Sequence, residues 1–67
     1  MNTYKTRLEE ELFSLQDKIQ KLIIFMDTPE YNNLGHREEQ LLEEQLGLMV
    51  NYRDVLENRI LFAKDKQ

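Results

Sequence analysis

Two arginines in the second half of the chain have the residue type and position to bind an anion. Arg53 interrupts a stripe of apolar residues at helical spacing, and Arg59 follows six positions later, close to further cations. A guanidinium group presents its N–H donors as a planar fork that fits a phosphate or a carboxylate. Tyr4, Tyr52 and Asn51 would add stacking and hydrogen bonds to a base. The pattern is typical of an anion site.

The same side chains also have structural explanations, which the sequence leaves open. Cations near the C-terminus of a helix stabilise it by complementing its dipole. Arg53 could pair with Asp54, with Glu57 or with a carboxylate of another subunit. Tyrosines at helical spacing commonly lie at the edge of a hydrophobic core.

Residues for catalysis or metal binding are scarce. The chain has no cysteine, and its single histidine, His36, precedes Glu39 by three positions. A di-metal helical bundle needs two Glu-x-x-His pairs and further glutamates, so this lone pair in reverse order does not fit. The chain also lacks a glycine-rich phosphate loop and a nucleophile with a base partner. We predict no enzymatic activity, no catalytic residue, no metal site and no cofactor.

The composition is that of a folded, acidic chain. Hydrophobic residues make up 40% and charged residues 33%, with a net charge of −4. A net negative charge disfavours nucleic acid as a partner. The longest apolar run, Leu22–Met26, is far shorter than the ~20 residues of a membrane span, and no apolar leader follows the first residues. We therefore expect a cytoplasmic protein without a membrane partner.

The first half of the chain has the apolar spacing of one long helix. Spacings of four and three residues separate Leu8, Leu12, Leu15, Ile19, Leu22 and Met26. This heptad pattern predicts a helix from about residue 3 to residue 26 that packs against other helices. Its start could be capped by Asn2 or Thr3, or by Thr6 together with Glu9.

A turn must follow, because a proline disfavours helical geometry in the residue before it. We predict that Thr28 begins a short helical turn with Pro29 in its first position, over about Glu30–Asn33. Gly35 would end this turn in the left-handed conformation. Tyr31 would fold back onto the end of the first helix.

The pattern is helical again from about residue 36 to residue 63. One stripe contains Leu42, Leu46, Met49, Leu56 and Ile60, and a second stripe beside it contains Leu41, Leu48, Tyr52, Val55 and Phe62. Gly47 lies within this helix at a cost of about 1 kcal/mol relative to alanine. It is either a tolerated surface glycine or a point of close approach by a helix or a ligand.

Two long helices with a short link predict an all-α antiparallel hairpin, with a short helical turn at its tip, as a single domain over residues 1–67. A lone hairpin cannot cover apolar stripes this wide, so we predict a homo-oligomeric helical bundle, at least a dimer. The hairpin would gather a basic pole from the two chain ends. Its cations would be Lys5, Arg7, Arg59, Lys64 and Lys66.

Several stretches together resemble a known group of proteins. They are Tyr4-Lys5-x-Arg7-Leu8-x-Glu10-Glu11, Glu30-Tyr31-x-x-Leu34, Glu39-x-Leu41-Leu42-x-x-Gln45-Leu46 and Met49-x-x-Tyr52-x-x-x-Leu56-x-x-Arg59-Ile60. The chain is similar over nearly its whole length to small two-helix proteins of tailed bacteriophages, including those related to a crAss-like phage protein. The matching residues are mainly those of helical seams.

Some phage proteins of this build are counter-defence sponges, which oligomerise and sequester the cyclic nucleotide signals of bacterial systems such as CBASS and Thoeris. The resemblance implies stoichiometric binding in the cytoplasm of an infected bacterium. By their chemistry, the residues around the implied pocket would be Arg53, Arg59, Tyr52, Tyr4 and Lys5.

Two other functions fit the same sequence. An interaction module could bind and inhibit a host defence protein through its apolar face or through the acidic residues Glu38, Glu39, Glu43 and Glu44. A dimeric hairpin could instead bind RNA through Lys18, Gln20 and Lys21, although the acidic balance argues against it.

Overall fold

The computed structural model describes residues 3–65, of which nearly all are helical. Helix α1 spans Tyr4–Met26, and Thr3 is its N-cap: the Thr3 hydroxyl accepts a hydrogen bond of 3.1 Å from the backbone N–H of Thr6. Of the predicted starts, Thr3 is therefore the one that the structure uses. Asp27 is the C-cap of the helix, and its N–H donates to the carbonyl of Ile24.

The tip of the hairpin is the short helix α2, Pro29–Asn32, with Pro29 in its first position as predicted and its bounds one residue earlier. Thr28 occupies the N-cap position but does not cap with its side chain, because its hydroxyl donates to the Phe25 carbonyl at 2.6 Å. Gly35 has a φ of +97°, which confirms its left-handed conformation. The tip thus reverses the chain within nine residues, from Asp27 to Gly35.

Tyr31 ties the tip to the second long helix, α3, which spans His36–Asp65. Its buried ring meets Phe25 edge-on with centroids 6.2 Å apart. Its hydroxyl lies 3.3 Å from the Glu39 carbonyl and 3.4 Å from a Glu43 carboxylate oxygen, and donates to these acceptors. Burial first, and then the neighbouring charges of Glu43 and Glu39, raise the pKa of Tyr31 above its ordinary value.

Tyr31→Phe is expected to lower the thermal midpoint by a few degrees near neutral pH, because it removes a partly buried hydrogen bond. The raised pKa means that folded Tyr31 holds its proton at a pH where the unfolded chain loses it. The wild-type advantage is therefore complete below pH ~10 and shrinks as the pH rises further. Thermal unfolding of both proteins from pH 7 to 11 measures the difference between their midpoints. A difference that stays constant over this pH range would contradict the role of the Tyr31 hydroxyl.

Helix α3 begins at His36 as predicted and extends two residues beyond the predicted end. Gly47 lies within it, and among residues 3–65 no heavy atom outside its own stretch of helix backbone comes within 4 Å of where a Cβ would lie. Close approach by another helix of the same chain is therefore wrong for Gly47, which lies at the surface. Close approach by a ligand or by a helix of a second copy stays a prediction.

The two glycines should respond to alanine in opposite ways. Gly47→Ala is expected to raise the free energy of unfolding by about 1 kcal/mol, since alanine is the better helix former and the space is open. Gly35→Ala should lower it by about 1 kcal/mol or more, because its φ is +97°. Denaturant titrations of the two variants provide the comparison. Equal effects of the same sign would contradict the assigned conformations.

The core lies where α1 and α3 run side by side in opposite directions. Its buried residues are Leu8, Leu15 and Ile19 from α1 and Leu56 and Ala63 from α3. Leu12, Leu46, Met49, Val50 and Ile60 pack around them and remain partly exposed. The described chain is thus an all-α hairpin, 48 Å long and only 18 by 13 Å across. Within residues 3–65, no helix is long and apolar enough to cross a membrane.

Candidate functional site

A groove of about 340 Å³ lies at the open end of the hairpin, opposite the tip. Helix α1 contributes Tyr4 from its first turn, and the last turns of α3 contribute the rest of the lining. The lining residues are Tyr4, Val55, Asn58, Arg59, Phe62 and Ala63. The groove combines apolar walls with one guanidinium, one phenol and one amide.

Arg59 and Tyr4 form the polar centre of this groove. A terminal guanidinium nitrogen of Arg59 donates a hydrogen bond of 2.8 Å to the Tyr4 hydroxyl, across 55 positions of sequence. The guanidinium carbon also lies 5.8 Å from the Tyr4 ring centroid, within the range of a cation–π contact. The hydrogen bond to Tyr4 is the main reason that the pKa of Arg59 is raised. Arginine is protonated at every physiological pH in any environment, so the contribution of Tyr4 is to orient the guanidinium.

The site can bind an anion that carries a flat or apolar group. Arg59 has five N–H donors, and the contact with Tyr4 leaves others that can donate as a fork to the oxygens of a phosphate or carboxylate. Phe62 exposes 63% and Tyr4 exposes 56% of its surface, so both rings are accessible for stacking. Glu11 adds a negative charge near Arg59, which lowers the net positive potential there.

The structure brings together two of the five predicted ligand-binding residues, Tyr4 and Arg59. Lys5 follows Tyr4 but pairs with Glu9 at 3.7 Å, one turn along α1. Tyr52 is exposed on α3 outside the groove lining. Of the predicted basic pole, the side chain of Lys64 and the whole of Lys66 lie outside the described residues.

Arg53 lies on a different side of α3 from Arg59. Its position belongs to the stripe that packs on α1, and its guanidinium lies 3.6 Å from the Asp54 carboxylate with 34% of the side chain exposed. A neighbouring carboxylate was one of the partners that the sequence left open, and Asp54 takes that position. Arg53 does not line the groove.

Sequence reasoning did not assign Val55, Asn58, Phe62 or Ala63 to the site. A signal for two of them was present, since Val55 and Phe62 flank Arg59 at spacings of four and three on one face of α3. That spacing suggested an apolar stripe rather than a groove wall. The spacing along α3 also gives no information about Tyr4, the residue that α1 contributes to the groove.

A second groove, of about 520 Å³, lies near the start of α3 and has a different character. Its lining residues are Arg37, Gln40, Leu41, Glu43 and Glu44. Two carboxylates against one guanidinium make it acidic. Nearby, His36 lies 3.3 Å from the Gln40 amide nitrogen, and no group of three metal-ligating side chains occurs within residues 3–65.

In a comparison with known protein families, a family model matches residues 2–62 of the chain. The matching family model is that of Sequestin. The chain belongs to the Sequestin family. Its match includes α1, α2 and α3 as far as Phe62, so it contains most of the groove lining. No curated protein and no solved structure matches the chain.

The family name indicates a sequestering protein, one that binds a partner and withholds it. This agrees with the class of small binding protein that the sequence resembles. The name Sequestin specifies neither a ligand nor a source, so the crAss-like phage relationship stays a prediction.

Proposed function

We propose that this Sequestin-family protein is a phage counter-defence protein that binds a cyclic nucleotide immune signal stoichiometrically and withholds it from its effector. The observation that carries the proposal is the Arg59 guanidinium, held by Tyr4 in a groove with exposed aromatic walls. The family match supports sequestration, and the groove supports the chemical class of the ligand.

A cyclic nucleotide offers the two groups that this groove accommodates. Its phosphodiester is a permanent anion with two free oxygens, which suit the planar fork of Arg59. Its bases are flat and apolar on their faces, and they would stack on Phe62 or Tyr4. The Asn58 side chain supplies a donor and an acceptor for a base edge.

Binding alone is sufficient for this function. Withholding a signal requires an affinity tight enough to compete with the effector and a concentration of sites that matches the signal. The Tyr4 hydroxyl orients Arg59 before the ligand arrives, so less side-chain freedom is lost on binding. The protein would work in the cytoplasm of the infected cell, where such signals are made, and it would work as an oligomer with pockets between subunits.

Native mass spectrometry of the protein, alone and with a panel of cyclic dinucleotides, cyclic trinucleotides and cyclic ADP-ribose isomers, tests the proposal. We expect a defined oligomer that carries an integral number of one nucleotide. The linear dinucleotide of the same base composition serves as the matched control and should bind more weakly. An oligomer that stays empty across the panel would contradict the proposal.

An empty oligomer would favour the second candidate, a module that binds and inhibits a host defence protein. The observation behind this candidate is the acidic second groove beside Leu41, of which 47% is exposed. Such a surface suits a partner with basic residues around an apolar contact.

A further inference from the structure

Helix α3 carries a second heptad seam, whose residues lie outside the core that α3 shares with α1. Leu41, Leu48, Val55 and Phe62 follow at intervals of seven residues, and 47%, 64%, 51% and 63% of their surfaces are exposed. Gln45, Tyr52 and Arg59 fall between them at spacings of four and three. A straight helix drifts about 20° per heptad against such a repeat. A seam repeated every seven residues therefore favours packing in a left-handed coiled coil.

The seam is offset by one residue from the buried one, in which Met49, Leu56 and Ala63 belong to or pack against the core and Leu42 is half-buried. Two seams one residue apart face directions about 100° apart on a helix. A helix in a four-helix bundle has neighbours at this angle. Helix α3 is therefore built to pack against two helices, of which the chain supplies one.

The exposed apolar residues of α1 do not form such a seam. They are Tyr4, Phe13, Ile23 and Ile24, with 56%, 77%, 46% and 58% of their surfaces exposed, and steps of nine, ten and one residue separate them. These steps match no heptad, and scattered apolar residues are normal on a protein surface. Of the two long helices, α3 is therefore the one whose exposed apolar residues form a continuous surface for a partner helix.

The exposed area agrees with a partner of the size of one more copy. The chain exposes 5335 Å². A compact chain of this mass would expose about 4,500 Å². The surplus of roughly 800 Å² is about what each partner of a stable dimer buries. The seam from Leu41 to Phe62 is about 32 Å long, which is ample for such an interface.

The charges of α3 indicate the direction of the partner helix. Residues 36–50 contain four glutamates and one arginine, whereas residues 51–65 contain three cations and three carboxylates. Two parallel copies would place the acidic halves together, and an antiparallel pair separates them. In the antiparallel register Leu41 lies level with Phe62 and Leu48 with Val55, while Glu44 lies level with Arg59.

We propose that α3 pairs antiparallel with α3 of a second copy through Leu41, Leu48, Val55 and Phe62, and that this two-fold dimer completes the groove. Val55 and Phe62 belong to both the seam and the groove lining. The second copy's Leu41 and Arg37 then form the opposite wall and add a second guanidinium for a phosphate. Glu44 of the second copy pairs with Arg59 when the groove is empty. Only the ligand part of this inference rests on the proposed function.

The oligomeric state without ligand tests the interface. Leu48→Glu places a charge in the centre of the seam and is expected to give a monomer by light scattering coupled to size exclusion at micromolar concentration. Phe13→Glu is the matched control, because Phe13 is more exposed but lies on α1 outside the seam. It should remain a dimer, as should the wild type. A monomeric wild type, or a dimeric Leu48→Glu variant with wild-type helicity, would overturn the interface.

Disulfide cross-linking tests the direction, since the natural chain has no cysteine. The double variant Leu41→Cys, Phe62→Cys is expected to form a covalent dimer on mild oxidation, because the two positions lie level only in the antiparallel register. The single variant Leu41→Cys should stay uncross-linked. Efficient cross-linking of the single variant would show a parallel pair and overturn the register.

Arg37→Ala tests the completed groove. It is expected to weaken binding of the nucleotide identified by native mass spectrometry by roughly tenfold, with the dimer intact. Unchanged affinity would overturn the contribution of the second copy. If no nucleotide binds while the dimer forms, the proposed function fails and the interface stands. If the protein is a monomer that binds nucleotide, the interface fails and the proposed function stands.

Discussion

Arg59→Ala is expected to weaken cyclic nucleotide binding by roughly 10- to 100-fold, the range for losing a forked, charge-assisted contact with a phosphate. The hairpin should keep its fold, because Arg59 is exposed and its hydrogen bond to Tyr4 lies at the open end of the hairpin. Isothermal titration calorimetry measures the affinity, and circular dichroism confirms that the helix content is unchanged.

Arg7→Ala is the matched control for this loss. Arg7 is an exposed arginine of the same pole and carries the same charge, but it does not line the groove. Its removal should change the affinity less than threefold, an effect of net charge alone. Equal losses in the two variants would mean that the pole attracts the ligand only by its overall charge. Arg59→Lys should fall between wild type and alanine, since lysine keeps the charge and loses the fork.

Leu56→Ala is expected to have the largest effect on folding, about 2–5 kcal/mol in the free energy of unfolding. Leu56 is completely buried, and among residues 3–63, whose burial the structure describes, it lies in a core cluster of five buried residues. The structure around the new cavity has few other side chains with which to fill it. A loss of this size is comparable to the whole stability of many small domains, so we expect partial unfolding at 37 °C.

Leu61→Ala provides the comparison on the same helix. Leu61 is 58% exposed and lies outside both heptad seams, so its truncation should cost about 0.5 kcal/mol or less. Thermal and denaturant unfolding, followed at 222 nm and at one fixed protein concentration, give both values. A fixed concentration is necessary because dimer formation makes the midpoint depend on it. Similar losses in the two leucine variants would contradict the assigned core.

The arginine pair and the leucine pair of variants distinguish the ligand site from the helical scaffold that positions it. Tyr4 and Arg59 meet because the α1 and α3 seams place the first turn of one helix beside the last turns of the other. Damage to the core would therefore also reduce binding, but with a loss of helix content. Arg59→Ala would reduce binding alone.

Much of the fold follows from local signals in the sequence. The heptad spacing from Leu8 to Met26 predicts α1, and the bounds of α1 and α3 agree with the structure within about two residues. Pro29 and Gly35 act through their own backbone restrictions, so their neighbours in sequence are enough to predict the turn. Thr28 shows the limit even here, because its hydroxyl bonds to Phe25 instead of capping α2.

The candidate site was less predictable, as the two arginines show. Arg53 and Arg59 are six residues apart, which turns the side chain by about 240° around the helix axis. One therefore lies half-buried next to Asp54, and the other lines the groove. The sequence shows this angle between them, but which of the two directions faces the groove depends on where α1 lies.

By itself, the sequence determined the helices, the turn that joins them and the two apolar seams of α3, because these depend on residues within one or two turns of each other. The tertiary structure alone decided that Tyr4 meets Arg59, because those residues lie 55 positions apart and their meeting depends on the register between α1 and α3. That register is set by the length of the tip and by the interlocking of Leu8, Leu15 and Ile19 with Leu56 and Ala63. A sum of many small packing contacts over the whole hairpin fixes it, and no local pattern contains that sum.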